Sequence, residues 1–311
     1  GKHNWVNTRE DLKRYDPRLY RLISKYFPAI DEQISKHPKV NLYSGPPPIP
    51  SREGGEFSPS MGERGEGHCV ITSVTKEKGY PTFYKKYIDC NGIPILSSWR
   101  VPDSCLVQAY RTVYAMTSML DKPVLDAMIN KDVRLAVMAR YEGTTDIPEH
   151  ANLRNDTTLN WNLRARGLGG DLELPLTSCA EENVLAYQID KYHAEDILIH
   201  EFSHAIHLVG ILQVHPDINS RLQALLDKAL SEGRFVNTYA AVDIYEYWAE
   251  GVQDWFNVNA EMPRPDGKHN YVNTREELRA YDPDLYALIA EYFPETDLQI
   301  SKHPKTNQYT E

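Results

Sequence analysis

Between Ile197 and Val209 the chain reads Ile-Leu-Ile-His-Glu-Phe-Ser-His-Ala-Ile-His-Leu-Val, and no other stretch restricts its fold so tightly. Residues four apart share one face of an α-helix, so His200 and His204 stand a turn apart and can reach a single metal ion. Glu201 lies beside them, placed to take a proton from water held by that ion. Ile197, Leu198, Phe202, Ala205, Ile206 and Leu208 supply an apolar surface that predicts a core position for the helix. An imidazole in such a setting is costly unless hydrogen-bonded or bound to metal, which sets this motif apart from two histidines on a solvated face. Gly210 predicts a left-handed stop directly after the run.

Two histidines leave a zinc site incomplete, because a third protein ligand is needed while one position stays open to water. His207 lies three residues past His204 on nearly the same face, yet a straight helix cannot easily wrap three such side chains around one tetrahedral ion. The stretch Tyr245-Glu246-Tyr247-Trp248-Ala249-Glu250-Gly251-Val252-Gln253-Asp254-Trp255-Phe256 offers a stronger source. Here Glu246, Glu250 and Asp254 recur at four-residue steps on one helical face. One acid can bind zinc while the next, a turn away, orients a ligating histidine. Spacing leaves both Glu246 with Glu250 and Glu250 with Asp254 open.

With His200-Glu201-Phe202-Ser203-His204, then Tyr239, then Glu246-Tyr247-Trp248-Ala249-Glu250, the chain resembles the anthrax lethal factor-like zinc peptidases, a branch of the gluzincins. The resemblance covers roughly residues 192 to 256. It implies an α+β, zincin-like metallopeptidase domain with a small mixed sheet and an active-site helix. It also implies Zn²⁺ as cofactor, with His200, His204 and Glu246 as ligands and Glu250 behind them. Tyr239 would then donate a hydrogen bond to the oxyanion of a tetrahedral intermediate. The reaction implied is endopeptidase hydrolysis of a protein or peptide, with zinc lowering the pKa of its water toward about 7 and Glu201 as general base.

Around the motif the pattern predicts strands over residues 69–74, 84–88 and 93–96, with Asn91-Gly92 as a turn. Helices are predicted over 107–119 and 124–129, and a buried strand over 134–139. The glycine-rich run 165–170 lacks phosphate-loop spacing and predicts a loop near the active site. Residues 184–187 predict a sheet strand, with an edge that pairs with an extended substrate as the more specific use.

Residues 1–44 and 267–310 are one segment written twice at a constant offset, with about two-thirds of positions identical. In each copy Thr8 or Thr274 can cap a short helix, with Asp11 or Glu277 as capping-box partner, and Asp16-Pro17 or Asp282-Pro283 can start a second. The segments are read as short helical flanking repeats around a domain over 68–266, with a Pro/Gly-rich linker over 45–67. This organisation supports an alternative function: a filament-forming unit of a tandem-repeat polyprotein that retains a peptidase fold, assembling head to tail through the repeats.

The net charge of −10 and the lack of a basic cluster argue against nucleic acid as a partner. No apolar run of about 18 residues is read from the sequence, so no membrane span is expected. Cys69, Cys90, Cys105 and Cys179 contain no Cys-x-x-Cys pair. One or two disulfides in an oxidising compartment are expected from them, with buried free thiols as the alternative. Asn155-Asp156-Thr157 is a glycosylation sequon. Both features point to a secreted, extracellular protein.

Overall fold

The computed structural model describes residues 9, 12–13, 16–24, 69–296 and 300–303. The chain divides into two compact units, residues 1–54 and 55–311. In the first unit Pro17–Ser24 is a helix, and Asp16 Oδ1 accepts the Leu19 amide at 2.9 Å as its cap. The expected Thr8 cap, its partner Asp11 and the linker over 45–67 lie outside the described residues.

The second unit is α+β. Its sheet comprises β1 (Thr72–Ser73), β2 (Lys86–Cys90), β3 (Ile93–Ser97), β4 (Arg134–Met138), β5 (Gly167–Leu168) and β6 (Leu176–Ala180), in the order β1-β2-β3-β4-β6-β5. β2 and β3 form a hairpin through Asn91 and Gly92, at φ of 52° and 87°, the positive values that a tight two-residue turn demands. β3, β4 and β6 run parallel, and the first crossover between them carries the helices Asp103–Thr117 and Lys122–Asn130. β5 closes the sheet antiparallel to β6. The central strands are covered on both faces. Leu135 and Val137 of β4 enter the main core, whereas Ala136 and Met138 join a smaller cluster with Tyr84, Leu96, Ile147 and Leu176.

The helix Ile197–Ala205 starts on Asp196, whose Oδ1 accepts the Ile199 amide at 3.0 Å. It continues through a π-helical stretch, Ile206–Ile211, into Leu212–Val214. Gly210 is therefore not the left-handed stop expected from its position. A Cβ there would stand 3.0 Å from Met128 Cγ and 3.1 Å from Val124 Cγ1, so its lack of a side chain lets the neighbouring helix approach. The continuous helix Ile197–Val214 is long and apolar enough, by length and composition, to cross a bilayer, which corrects the expectation that no such run exists. Here it serves as a core helix, with 67% of its residues buried inside the unit. The strand expected over 184–187 is also replaced. Glu181–Val184 is a helical turn and Ala186 lies at φ 49°, so no sheet edge forms there.

The compact unit runs straight through residue 266, and the C-terminal copy of the repeat is part of its core. Thr274 caps the helix Arg275–Tyr281 by accepting the Glu277 amide at 3.3 Å, and Glu277 returns by accepting the Asn273 amide at 3.1 Å. Asp282 caps Pro283–Ala290. Val272, Leu278, Leu285, Leu288, Ile289, Tyr292 and Phe293 are buried in the main core.

The disulfides expected of Cys69, Cys90, Cys105 and Cys179 are not formed: all four are free and buried. They sit in the main core as small apolar side chains, and burial pushes the thiols of Cys105 and Cys179 well above their usual range. Four free thiols give no sign of an oxidising compartment. Asn155 is exposed at the end of the 3₁₀ helix Pro148–Asn155.

Candidate active site

His200 and His204 project from the Ile197–Ala205 helix with ring centres 5.0 Å apart. The helix Ile244–Trp255 is tied to it by Trp248 Nε1–H, which donates to the Ser203 carbonyl at 3.1 Å. Its first turn is capped by Asp243 Oδ1, which accepts the amides of Tyr245 and Glu246 at 2.8 and 2.9 Å. Glu246 is thereby set facing both histidines. Its Oε2 lies 3.1 Å from His200 Nε2 and 3.8 Å from His204 Nε2. Donor atoms around a tetrahedral zinc with bonds of about 2.05 Å are roughly 3.3 Å apart, and the two spacings straddle that value. The ligating atoms of His200, Glu201 and His204 also fall within 4.8 Å of one another.

The other oxygen of Glu246 accepts from the Tyr239 hydroxyl at 3.0 Å. Tyr239 opens the turn Tyr239–Ala241, and its amide donates to the Lys268 carbonyl at 2.7 Å. A backbone contact from the repeated segment thus ends at a candidate site residue.

Behind His200 stands Gln253, which is not among the candidate residues expected from the sequence. Gln253 Nε2 donates to the Asp196 carbonyl at 3.1 Å, which orients the amide so that Oε1 accepts from His200 Nδ1 at 2.8 Å. That contact puts a proton on Nδ1 and turns Nε2 toward Glu246. The resemblance placed Glu250 behind the ligands. Its Oε1 is 3.6 Å from His200 Nδ1, while its Oε2 accepts from Asn259 at 3.1 Å. Asp254 is buried a turn further on and accepts from the same Asn259 at 2.9 Å. Gln253 lies seven residues past Glu246, two turns along the same face, and that spacing is the signal by which it was legible.

The carboxylates of Glu195, Glu201, Glu246 and Glu250 crowd the same cleft. Burial opposes charge on His200, but Glu246, Glu201 and Glu250 outweigh it and raise the imidazole to about 10. Burial raises the Glu201 carboxyl to about 7, with Glu246 and Glu195 adding to the effect and His200 opposing it. Burial and the charge on His200 hold His204 down to about 3, so that ring is a neutral lone-pair donor. A cation bound here would take the place of the proton that these carboxylates hold on His200, and two imidazoles, a carboxylate and a surplus of negative charge then form a donor set that fits a zinc ion.

The cleft, about 350 Å³, is bordered by β5 together with Trp161, Arg164, Tyr192 and His269. Within the glycine-rich run Gly167 and Leu168 form the sheet's outer strand, and the residues on either side of them are not in a strand. A Cβ on Gly169 would stand 2.9 Å from His204 Cβ, and one on Gly167 would stand 2.6 Å from Ile197 Cγ2. The Gly169 amide also donates to the Glu201 carboxylate. His269 Nε2 lies 3.5 Å from Glu195 Oε2, and Glu195, Glu250 and His269 form a second group of metal-capable side chains in the cleft wall. Nothing in the local spacing of His269 pointed to this, because it lies in the repeat. His207 turns away from Glu246: it is fully buried, donates from Nε2 to Asn219 Oδ1 at 2.8 Å and packs on Trp248.

No family model matches the chain, and no curated protein matches it. Among solved structures, the PRO-PRO endopeptidase PPEP-2 from Paenibacillus alvei is similar at 16% identity with a TM-score of 0.44, over 64% of this chain and 97% of that one.

Proposed function

We propose that the chain is a zinc-dependent endopeptidase. The observation that carries this reading is the convergence of His200 Nε2 and His204 Nε2 on one oxygen of Glu246, at 3.1 and 3.8 Å, with Glu201 beside them in the cleft wall. A zinc ion held by His200, His204 and Glu246 supplies Lewis acidity toward a carbonyl oxygen and lowers the pKa of water toward about 7.

The chain's own residues supply the rest. Glu201, in the cleft wall with its carboxylate accepting from the Gly169 amide, is placed to take a proton from an attacking water and return it to the leaving amine. The Tyr239 hydroxyl, hydrogen-bonded to Glu246, is within the same cleft and can turn its proton toward the oxygen on which negative charge gathers. Gln253 holds the His200 ring in one tautomer. β5 is the last strand of the sheet and borders the cleft, so an extended peptide can lie alongside it and present an internal bond.

Elemental analysis of the purified protein is expected to find about one zinc per chain, lost in His200→Ala and Glu246→Ala. Glu201→Gln is expected to retain the metal while proteolysis of casein falls by about 10²–10⁴-fold. A chain free of zinc, or a Glu201→Gln variant as active as the parent, would refute the reading.

A further inference from the structure

The two copies of the repeated segment differ in a pattern that the structure explains. In the C-terminal copy the buried residues are Asn270, Val272, Asn273, Leu278, Asp282, Leu285, Leu288, Ile289, Tyr292, Phe293, Ser301 and His303. Each has an identical counterpart in the N-terminal copy, from Asn4 and Val6 through Leu19 and Ile23 to Ser35 and His37. Every described position at which the copies differ is exposed or only partly buried in the C-terminal copy. The N-terminal copy thus keeps the whole set of side chains that fills the core, although Leu19 and Ile23 are 42% and 38% exposed where Leu285 and Ile289 are fully buried. Each chain therefore carries one groove and two segments with the same core-filling residues.

The exposed differences are not neutral. Asp284 pairs with Lys228 at 2.7 Å and Glu291 pairs with Arg221 at 2.5 Å across the edge of the groove. The matching residues of the N-terminal copy are Arg18 and Lys25. Both ion pairs would become like-charge contacts, so the groove prefers its own C-terminal segment.

We propose that the N-terminal segment docks in the groove of a second copy of this chain whenever that copy's own C-terminal segment is displaced. The contact is heterologous. A chain whose groove is filled by its neighbour still offers its own N-terminal segment to the next, so the exchange extends head to tail and need not close. Lys268 and His269, which line the cleft, correspond to Lys2 and His3, so a borrowed segment brings the same cleft wall. The proposal does not rest on the peptidase reading, because its readout is mass.

The test reverses the charges at the rim of the groove. Arg221→Glu with Lys228→Glu repels Asp284 and Glu291 of the resident segment and attracts Arg18 and Lys25 of another chain. Both positions are solvent-facing, at 37% and 52% side-chain exposure, so the fold is expected to survive. In low salt the variant should shift, with rising concentration, from the 35.7 kDa of one chain to at least twice that mass by light scattering, and high salt should reverse the shift. Adding Leu19→Asp and Ile23→Asp to the same chain should return it to monomer. A variant that stays monomeric at every concentration, or oligomers that survive Leu19→Asp and Ile23→Asp, would overturn the proposal. A second experiment starts from Leu285→Asp with Ile289→Asp, which ejects the resident segment. That chain should recover its near-ultraviolet circular dichroism as concentration rises, and recovery that ignores concentration would equally overturn the proposal.

Discussion

His200 has one ring nitrogen toward Glu246 and the other on Gln253, and the second contact governs the first. Replacing Gln253 by alanine removes the only acceptor within hydrogen-bond distance of Nδ1 among the described residues. The ring is then free to turn or to change tautomer, so zinc affinity in a chelator competition is expected to fall by about 10–100-fold. Unchanged affinity would show that packing alone orients the ring. His207 makes a different prediction, because it is buried and neutral. Burial lowers it to about 4 against an ordinary 6.5, with the Asn219 hydrogen bond opposing. As pH falls, the unfolded chain takes up its proton first, so stability is full above pH 6.5, declines toward pH 4 and levels off below. Between pH 7.5 and 5 this one residue should cost roughly 2 kcal/mol. His207→Gln should therefore lose about that much less than the parent over the same interval in urea unfolding, and equal losses would remove His207 as a cause.

At the scale of elements, the approach of β5 and the residues after it to the helix Ile197–Ala205 depends on missing side chains. Gly169→Ala puts a methyl 2.9 Å from Cβ and Cδ2 of His204, too close for either backbone to stay where it is. The substitution is expected to cost about 1–3 kcal/mol and to weaken zinc binding together with thermal stability; a loss of neither would mean that the segment after β5 yields freely. The same elements show what could be read beforehand. The pairing of His200 with His204 and the shared face of Glu246, Glu250 and Asp254 were legible because helical period is a local property. Whether Glu246 or Glu250 faces the histidines was not set by period alone, since that depends on how two helices cross. The strand expected over 184–187 failed because a short apolar run reads alike in a strand and in a buried helical turn. The stop expected at Gly210 failed because a glycine used for close helix packing looks, in sequence, like one used for a left-handed cap.

For the whole molecule, the repeat was legible as a unit but its place was not, since duplication suggests a module attached to a domain and gives no sign of an element inside one. The C-terminal copy holds the helix Ile197–Ala205 at its start. Ser301 donates to the Asp196 carboxylate that caps it, and His303 Nε2 donates to the carbonyl of Asn183, whose side chain accepts the Ile197 amide at 2.8 Å. Gln108 Nε2 and Thr112 Oγ1 both donate to the Ile300 carbonyl, fastening the segment to the opposite helix. Its seven buried apolar side chains, at about 1.5–3 kcal/mol each, contribute as much as or more than the net stability of an ordinary domain, about 5–15 kcal/mol. A chain of residues 45–266, which lacks both copies, is therefore expected to be unfolded although it contains every candidate zinc ligand. Its near-ultraviolet circular dichroism should be featureless and its amides unprotected in hydrogen exchange at pH 7. A cooperative urea transition in that fragment would show instead that strands, active-site helix and Ile244–Trp255 form a core by themselves, and that the repeat only covers it.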